Sequence, residues 1–147
     1  MKILHPTDFS DCAAGAQVTA VGLGEKLGGE IVLLHVLVET PLYGESVLSM
    51  PKVQSVYDAQ RKWAEEALEA RATELRGYGV KTSWRANVGV PFEEIVKIAA
   101  EERADMIVMG THGRSGLNRV LLGSVAERVI RLAPCPVLTV RQSEVGR

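Results

Sequence analysis

A doubly wound, three-layer α/β/α sandwich around an open parallel sheet of five strands is the fold this sequence predicts. Short apolar runs alternate with helical patterns along the whole chain, which is the order of βαβ units. Two of the runs, residues 31–38 and 106–109, are nearly all apolar and lack the alternation of a half-wet strand, so both of their faces are expected to be covered. Glycines at 28 and 29, at 77 and 79, and at 110 close the periodic stretches. With 147 residues the chain suits one domain spanning 1–147, since two well-packed cores would need more.

The elements follow in order. Residues 2–7 form a first strand, and Ser10 caps the helix after it, whose face carries Ala13, Ala16, Ala20, Leu23 and Leu27. Gly28-Gly29 stops that helix, and residues 31–38, broken only by His35, read as a central strand. Residues 39–52 lose all pattern, with Pro41, Gly44 and Pro51 as breakers, and make the longest connection, a candidate flap. A long helix is expected over 53–76, with Ala64, Leu68, Ala72 and Leu75 on one face. Val80, Thr82, Trp84, Ala86 and Val88 then alternate with Lys81, Ser83, Arg85 and Asn87, the pattern of an edge strand with one wet face. Pro91, Glu93 and Glu94 open a helix that carries Ile95, Ile98 and Ala99 and ends near Arg103. After the strand at 106–109, Gly123-Ser124 starts a last helix with Val125, Val129 and Leu132 on one side, and 136–141 is the final strand.

Composition narrows the function classes. Apolar residues are 46% of the chain and charged ones 24%, and no run nears the roughly 18 apolar residues of a membrane span. The start, Met1 to Pro6, breaks before a signal-peptide core, so a cytoplasmic protein without a membrane partner is expected. A net charge of −1 gives no general attraction to nucleic acid. Cys12 and Cys135 fit no CxxC or zinc spacing and are expected as two reduced thiols, with no metal site.

The chemistry concentrates after the fourth strand, in Gly110-Thr111-His112-Gly113-Arg114-Ser115-Gly116. Its glycines let backbone N–H groups approach a ligand, Gly123-Ser124 brings the N–H groups of a helix start, and Arg114 and Arg119 add local positive charge. Such a cradle suits phosphate, and ATP is a fitting occupant. Neither a GxxxxGK[ST] loop nor a GxGxxG fingerprint is present. Ligands of such sheets bind beyond the strands' carboxyl ends where the winding reverses, and Asp8 and Gly110 both stand there.

Gly110-x2-Gly113-x9-Gly123-Ser124, together with Pro6-Thr7-Asp8-Phe9-Ser10, His35-Val36 and Pro136-Val137-Leu138-Thr139-Val140, resembles the universal stress protein family, in its ATP-binding subgroup, over essentially the whole chain. The resemblance implies the adenine nucleotide alpha hydrolase-like form of the fold and a nucleotide-dependent regulator in stress response. It implies ATP, with Mg2+, held by Pro6, Thr7, Asp8, Val36, Met109, Gly110, His112, Gly113, Arg114, Gly123, Ser124 and Val125. Asp8 would contact adenosine, the backbone at Val36 the adenine edge, and Gly113, Gly123, Ser124 and Val125 the phosphates. A homodimer through Val137, Leu138, Thr139 and Val140 is implied too, besides a protein partner that the sequence does not name.

Plainer roles stand beside these. Capping of its turn is the lesser reading of Asp8 beside binding, and His112 either donates to phosphate or orders its loop. His5 and His35 read as interior histidines and Cys135, between Pro134 and Pro136, as a packing residue in a turn with room for a cis peptide. Arg128 and Arg131 suit the negative end of the last helix. No general base is evident, so no catalytic residue is assigned; a slow ATP hydrolase and a dimeric scaffold stabilised by nucleotide are the alternatives to a regulator. A domain carrying AMP or flavin for electron transfer is a further one.

Overall fold

The computed structural model describes residues 1–38, 51–112 and 121–142. Strands and helices alternate among them: β1 (Lys2–Pro6), α1 (Asp11–Leu27), β2 (Glu30–Val38), α2 (Pro51–Gly77), β3 (Lys81–Gly89), α3 (Pro91–Glu101), β4 (Met106–Gly110), α4 (Ser124–Leu132) and β5 (Val137–Val140). Their strands form one parallel sheet in the order β3-β2-β1-β4-β5. The chain therefore winds outward one way from β1 to β3 and then crosses back over to β4, which sets the reversal between β1 and β4.

Alternation along each strand sorts the core into two layers. Ile3, Ile31, Leu33 and Val108 pack with Ala16 and Ala20 of α1 and Leu68, Ala72 and Leu75 of α2. Leu4, Val32, Leu34, Ile107 and Met109 pack with Ile95, Ile98 and Ala99 of α3 and Ala126 and Val129 of α4. Helices thus cover both faces, as the uninterrupted apolar strands required. The three-layer α/β/α sandwich follows directly.

Local signals hold where they were read. The Ala13 amide donates to the Ser10 hydroxyl at 3.3 Å, and Gly28, at φ 62°, ends α1 in the left-handed conformation that favours glycine. In α2 the buried side chains are Ala64, Leu68, Ala72 and Leu75. The helix starts at Pro51 and not at Val53, because proline at the first helical position has no amide to lose. Residues 51–52 of the candidate flap are therefore helical, and residues 39–50 lie outside the described residues.

Several expectations change. Leu27 and Leu132 are exposed, since each lies in the last turn of its helix, beyond the sheet it covers; Gly24 and Ala126 take the inward positions. β3 is an edge strand, but its expected wet face is partly roofed: Arg85 Nε donates to Glu102 Oε1 at 2.7 Å and Asn87 Nδ2 to Glu94 Oε2 at 2.7 Å, while Val88 is exposed. α3 ends at Glu101, and Arg103 sits at φ 52° in the turn beyond it. Arg128 stacks its guanidinium 4.9 Å over the Phe92 ring, so only Arg131, paired with Glu127, sits in the last turn as expected. The peptides around Cys135 are trans, and both cysteines are free.

The β1–β4 ladder is short. Ile3 pairs with Met106 and Leu4 with Ile107, and there the pairing stops, whereas β1 stays paired to β2 as far as Pro6. The physical cause is one residue. Continuing the ladder would require the amide of residue 6 to meet the Val108 carbonyl, and proline has none. His5 replaces it: its Nδ1–H donates to Val108 O at 2.8 Å from a completely buried ring. Above this point β1 and β4 part.

Candidate nucleotide cleft

Where the two strands part, a cleft of about 650 Å³ opens beyond the carboxyl ends of β1, β2 and β4. That volume lies in the range of small-molecule sites. Its floor is Pro6, Thr7 and Asp8 from β1, residues 34–38 from β2 and residues 109–112 from β4. Ala13 of α1, Gln60 and Trp63 of α2, Pro91 and Ile95 of α3, and residues 123–126 at the start of α4 form its walls.

The turn after β1 is held by side chains. Asp8 Oδ1 accepts from the Ser10 amide at 3.0 Å, and Thr7 Oγ1 accepts from the Phe9 amide at 3.1 Å. Asp8 therefore caps its turn and lines the cleft at once. Phe9 sits at φ 62°, an uncommon conformation for a residue with a side chain, and its neighbours hold it there. The Thr7 carbonyl accepts from His35 Nδ1 at 2.8 Å, and since a carbonyl only accepts, the ring's proton is on Nδ1.

Two glycines have steric work at this site. A Cβ on Gly110 would come 2.7 Å from Cys12 Sγ and 3.1 Å from the Cys12 backbone, so its lack of side chain lets α1 lie against the end of β4. A Cβ on Gly123 would come 2.9 Å from the Thr111 carbonyl, to which the Gly123 amide donates at 2.8 Å. Gly123 thereby ties the start of α4 to the end of β4. The sequence points to glycines that let the backbone approach a ligand; at 110 close packing of protein on protein is a second requirement.

The N-cap of α4 is Gly123, which has no side chain to cap the helix. The first N–H groups of a helix have no partner within it, and residues 123–126 at this helix start line the cleft. His112 adds an imidazole whose Nδ1 meets Thr111 Oγ1 at 2.9 Å, while its buried Nε2 has no hydrogen-bond partner among the described residues. Asp8 is the carboxylate among the described residues of the lining, and these residues hold no group of three or more His, Cys, Asp or Glu able to bind a metal. They do not form a resident cation site.

Of the residues expected from the sequence, Pro6, Thr7, Asp8, Val36, Met109, Gly110, His112, Gly123, Ser124 and Val125 are all brought to this cleft. Gly113 and Arg114, like Arg119, lie outside the described residues. The sequence reading passed over His35 as a cleft residue, and it passed over Thr111, Gln60 and Trp63. Trp63 carried a signal: a large aromatic one position off the buried stripe that begins at Ala64, on a helix otherwise polar there. His5 and Cys135 take the plainer roles. Burial lowers the His5 pKa to about 4, against a smaller rise from the Val108 carbonyl, and burial, with the Asp105 charge, raises that of the half-buried Cys135 thiol.

Comparison with known proteins agrees with this architecture. The model of the universal stress protein family matches residues 1–141. Universal stress protein MJ0531 of Methanocaldococcus jannaschii is 38% identical over 141 residues, covering 96% of this chain and 82% of the relative. Universal stress protein MJ0577 of the same organism is 38% identical, covering 96% and 94%. Its solved structure superimposes with a TM-score of 0.86 over 98% of this chain and 97% of that one. Two more distant structures, each 24% identical, share the fold: a universal stress protein in complex with cAMP (TM-score 0.67, covering 97% of this chain and 98% of that one) and one from Archaeoglobus fulgidus in complex with dAMP (0.66, 95% and 96%). With its family model matched almost end to end and two relatives at 38% identity, this chain belongs to the universal stress protein family.

Proposed function

We propose that this chain binds ATP in the cleft and acts as a nucleotide-dependent regulator in stress response. One observation carries the reading: a cleft of ligand size at the point where the winding reverses, with the uncapped start of α4 as one wall. The triphosphate would lie on the N–H groups and hydroxyl at Ser124 and Val125, beside His112, with Gly113 and Arg114 completing the cradle. Asp8 would meet the ribose and the Val36 backbone the adenine. Mg2+ would arrive on the phosphates, since the described residues offer it no cage. Family membership supports the stress-response role.

The same reading makes the protein a single-domain, cytoplasmic homodimer. No helix of the described residues is long and apolar enough to cross a membrane. β5 is the sheet's second edge, with Leu138 exposed, and pairing Val137, Leu138, Thr139 and Val140 with a second copy would cover that edge. Slow hydrolysis is the second reading, favoured by the unpartnered Nε2 of His112 in the cleft. Phosphate release that His112→Gln abolishes would support it.

Calorimetric titration of nucleotide-stripped protein with ATP and Mg2+ tests the main reading, beside Ser124→Ala. That variant is preferred to one at Gly123, where an added Cβ would strike the Thr111 carbonyl and disturb the fold and the site together. Saturable binding weakened by Ser124→Ala is the expected result. No uptake by the stripped wild type would overturn the reading and leave a scaffold.

A further inference from the structure

The chain has two tryptophans, and they are used differently. Trp84 Nε1 donates to Glu69, which ties β3 to α2. Trp63 has no hydrogen-bond partner among the described residues and keeps 51% of its surface exposed, although it stands in the wall of a concave site. An exposed indole costs hydration free energy, and in a cleft wall it is a flat surface ready for another flat ring.

Its neighbours are aromatic. The Phe9 ring meets Trp63 at 5.2 Å and 77° and meets His35 at 4.9 Å and 40°. Phe9 is locked at φ 62° with its amide on Thr7 Oγ1, and His35 is locked on the Thr7 carbonyl. Thr7, just past β1, thus anchors Phe9 and His35, and Phe9 packs against the indole. Such order at an exposed ring is more than packing on the helix face needs, since Ala64, Leu68, Ala72 and Leu75 already bury that face. Gln60, one turn earlier on α2, brings a carboxamide to the same wall.

We propose that Trp63 is the stacking wall for the base of the bound nucleotide, so that the described cleft holds its ligand by base stacking as well as by phosphate contacts. The proposal rests on the ATP reading above and deepens it. Stacking is tolerant of base identity, so Trp63 distinguishes nucleotide from bare phosphate chain and not one purine from another.

The test compares wild type, Trp63→Ala and Trp63→Phe in calorimetric titrations with Mg-ATP and with magnesium tripolyphosphate. Trp63→Ala is expected to weaken ATP by about tenfold, with Trp63→Phe recovering most of the loss and tripolyphosphate affinity the same in all three. In a Trp84→Phe background Trp63 is the sole fluorophore, and ATP, but not tripolyphosphate, is expected to quench it. Two results overturn the proposal while the ATP reading stands: Trp63→Ala binding ATP within twofold of wild type, or no quenching at saturating ATP. Equal losses for ATP and tripolyphosphate also overturn it, because Trp63 would then support the fold and not the base. No ATP binding by wild type overturns the ATP reading and this one together.

Discussion

The two ends of the sheet solve opposite problems. At the amino ends of the strands, Lys2 Nζ lies 3.2 Å from Glu30 and 3.1 Å from Glu102 and Lys81 lies 2.8 Å from Glu30, while Arg85 reaches Glu101 and Glu102 from the middle of β3. The Lys2 amide donates to Asp105 at 2.7 Å. Charges of both signs are spent on one another there: the partners raise the pKa of Lys2 and lower those of Glu30 and Glu102. At the carboxyl ends the strands separate, the N-cap of α4 is a glycine, and a buried imidazole nitrogen of His112 has no partner among the described residues. Charges that satisfy one another are structural; an imidazole nitrogen and an aromatic face that line a cleft, unlike the equally unpartnered Nε2 of the buried His5, stand where a ligand can meet them.

The largest effect that would break this contrast is steric. Gly110→Val drives a branched side chain into Cys12 and is expected to cost at least about 3 kcal/mol in urea unfolding, with or without nucleotide. A loss below about 1 kcal/mol would mean that α1 does not need the close approach at β4.

Acid comes next, through the residue beneath the cleft. The His5 pKa is about 4 in the folded chain against 6.5 when exposed, so the unfolded chain binds the proton first. Stability is unaffected by His5 above pH 6.5 and falls as pH drops towards 4, by roughly 3 kcal/mol at full effect. Unfolding measured from pH 7 to 4 in wild type and His5→Leu should show a shallower slope in the variant. Identical slopes would remove His5 as the cause.

Two serines at helix starts then sharpen the comparison within the cleft. Ser10 caps α1, and Ser10→Ala is expected to cost about 1 kcal/mol whether or not ATP is present. Ser124 begins a helix without a side-chain cap, so Ser124→Ala is expected to change stability without ligand by under about 0.5 kcal/mol. Its effect should show in the ATP-induced rise in melting temperature, which shrinks in the variant. Equal effects of the two changes on the ligand-free protein would erase the distinction between structural and binding helix starts.

The smallest effect belongs to the opposite end of the sheet. Lys2→Met removes two partly exposed ion pairs and is expected to cost less than about 1 kcal/mol, with little of it left in 1 M salt. ATP affinity should not change, and a change would link the two ends of the sheet.

How far the sequence could be read follows from the range of each signal. The strands, the Ser10 cap, the Gly28 stop and the stripe from Ala64 to Leu75 were legible because each depends on neighbours within a turn or two. The cleft was legible in part, through glycines and a turn at strand ends. Leu27 and Leu132 were misread since periodicity cannot show where a helix outruns the sheet beneath it. Trp63 was missed since its meaning depends on Phe9, distant in sequence and set in its turn by Thr7.

By itself, then, the sequence determined the alternating elements, the parallel sheet between two layers of helices, and the position of the phosphate-like motif, all of them consequences of local hydrophobic spacing and backbone preference. Only the tertiary structure decided that Pro6 ends the β1–β4 ladder, that His5 takes the vacant bond to Val108, that Gly110 is needed for Cys12, and that Trp63 stands in the cleft wall. Those contacts join residues far apart along the chain, and it is folding that brings them within bonding distance.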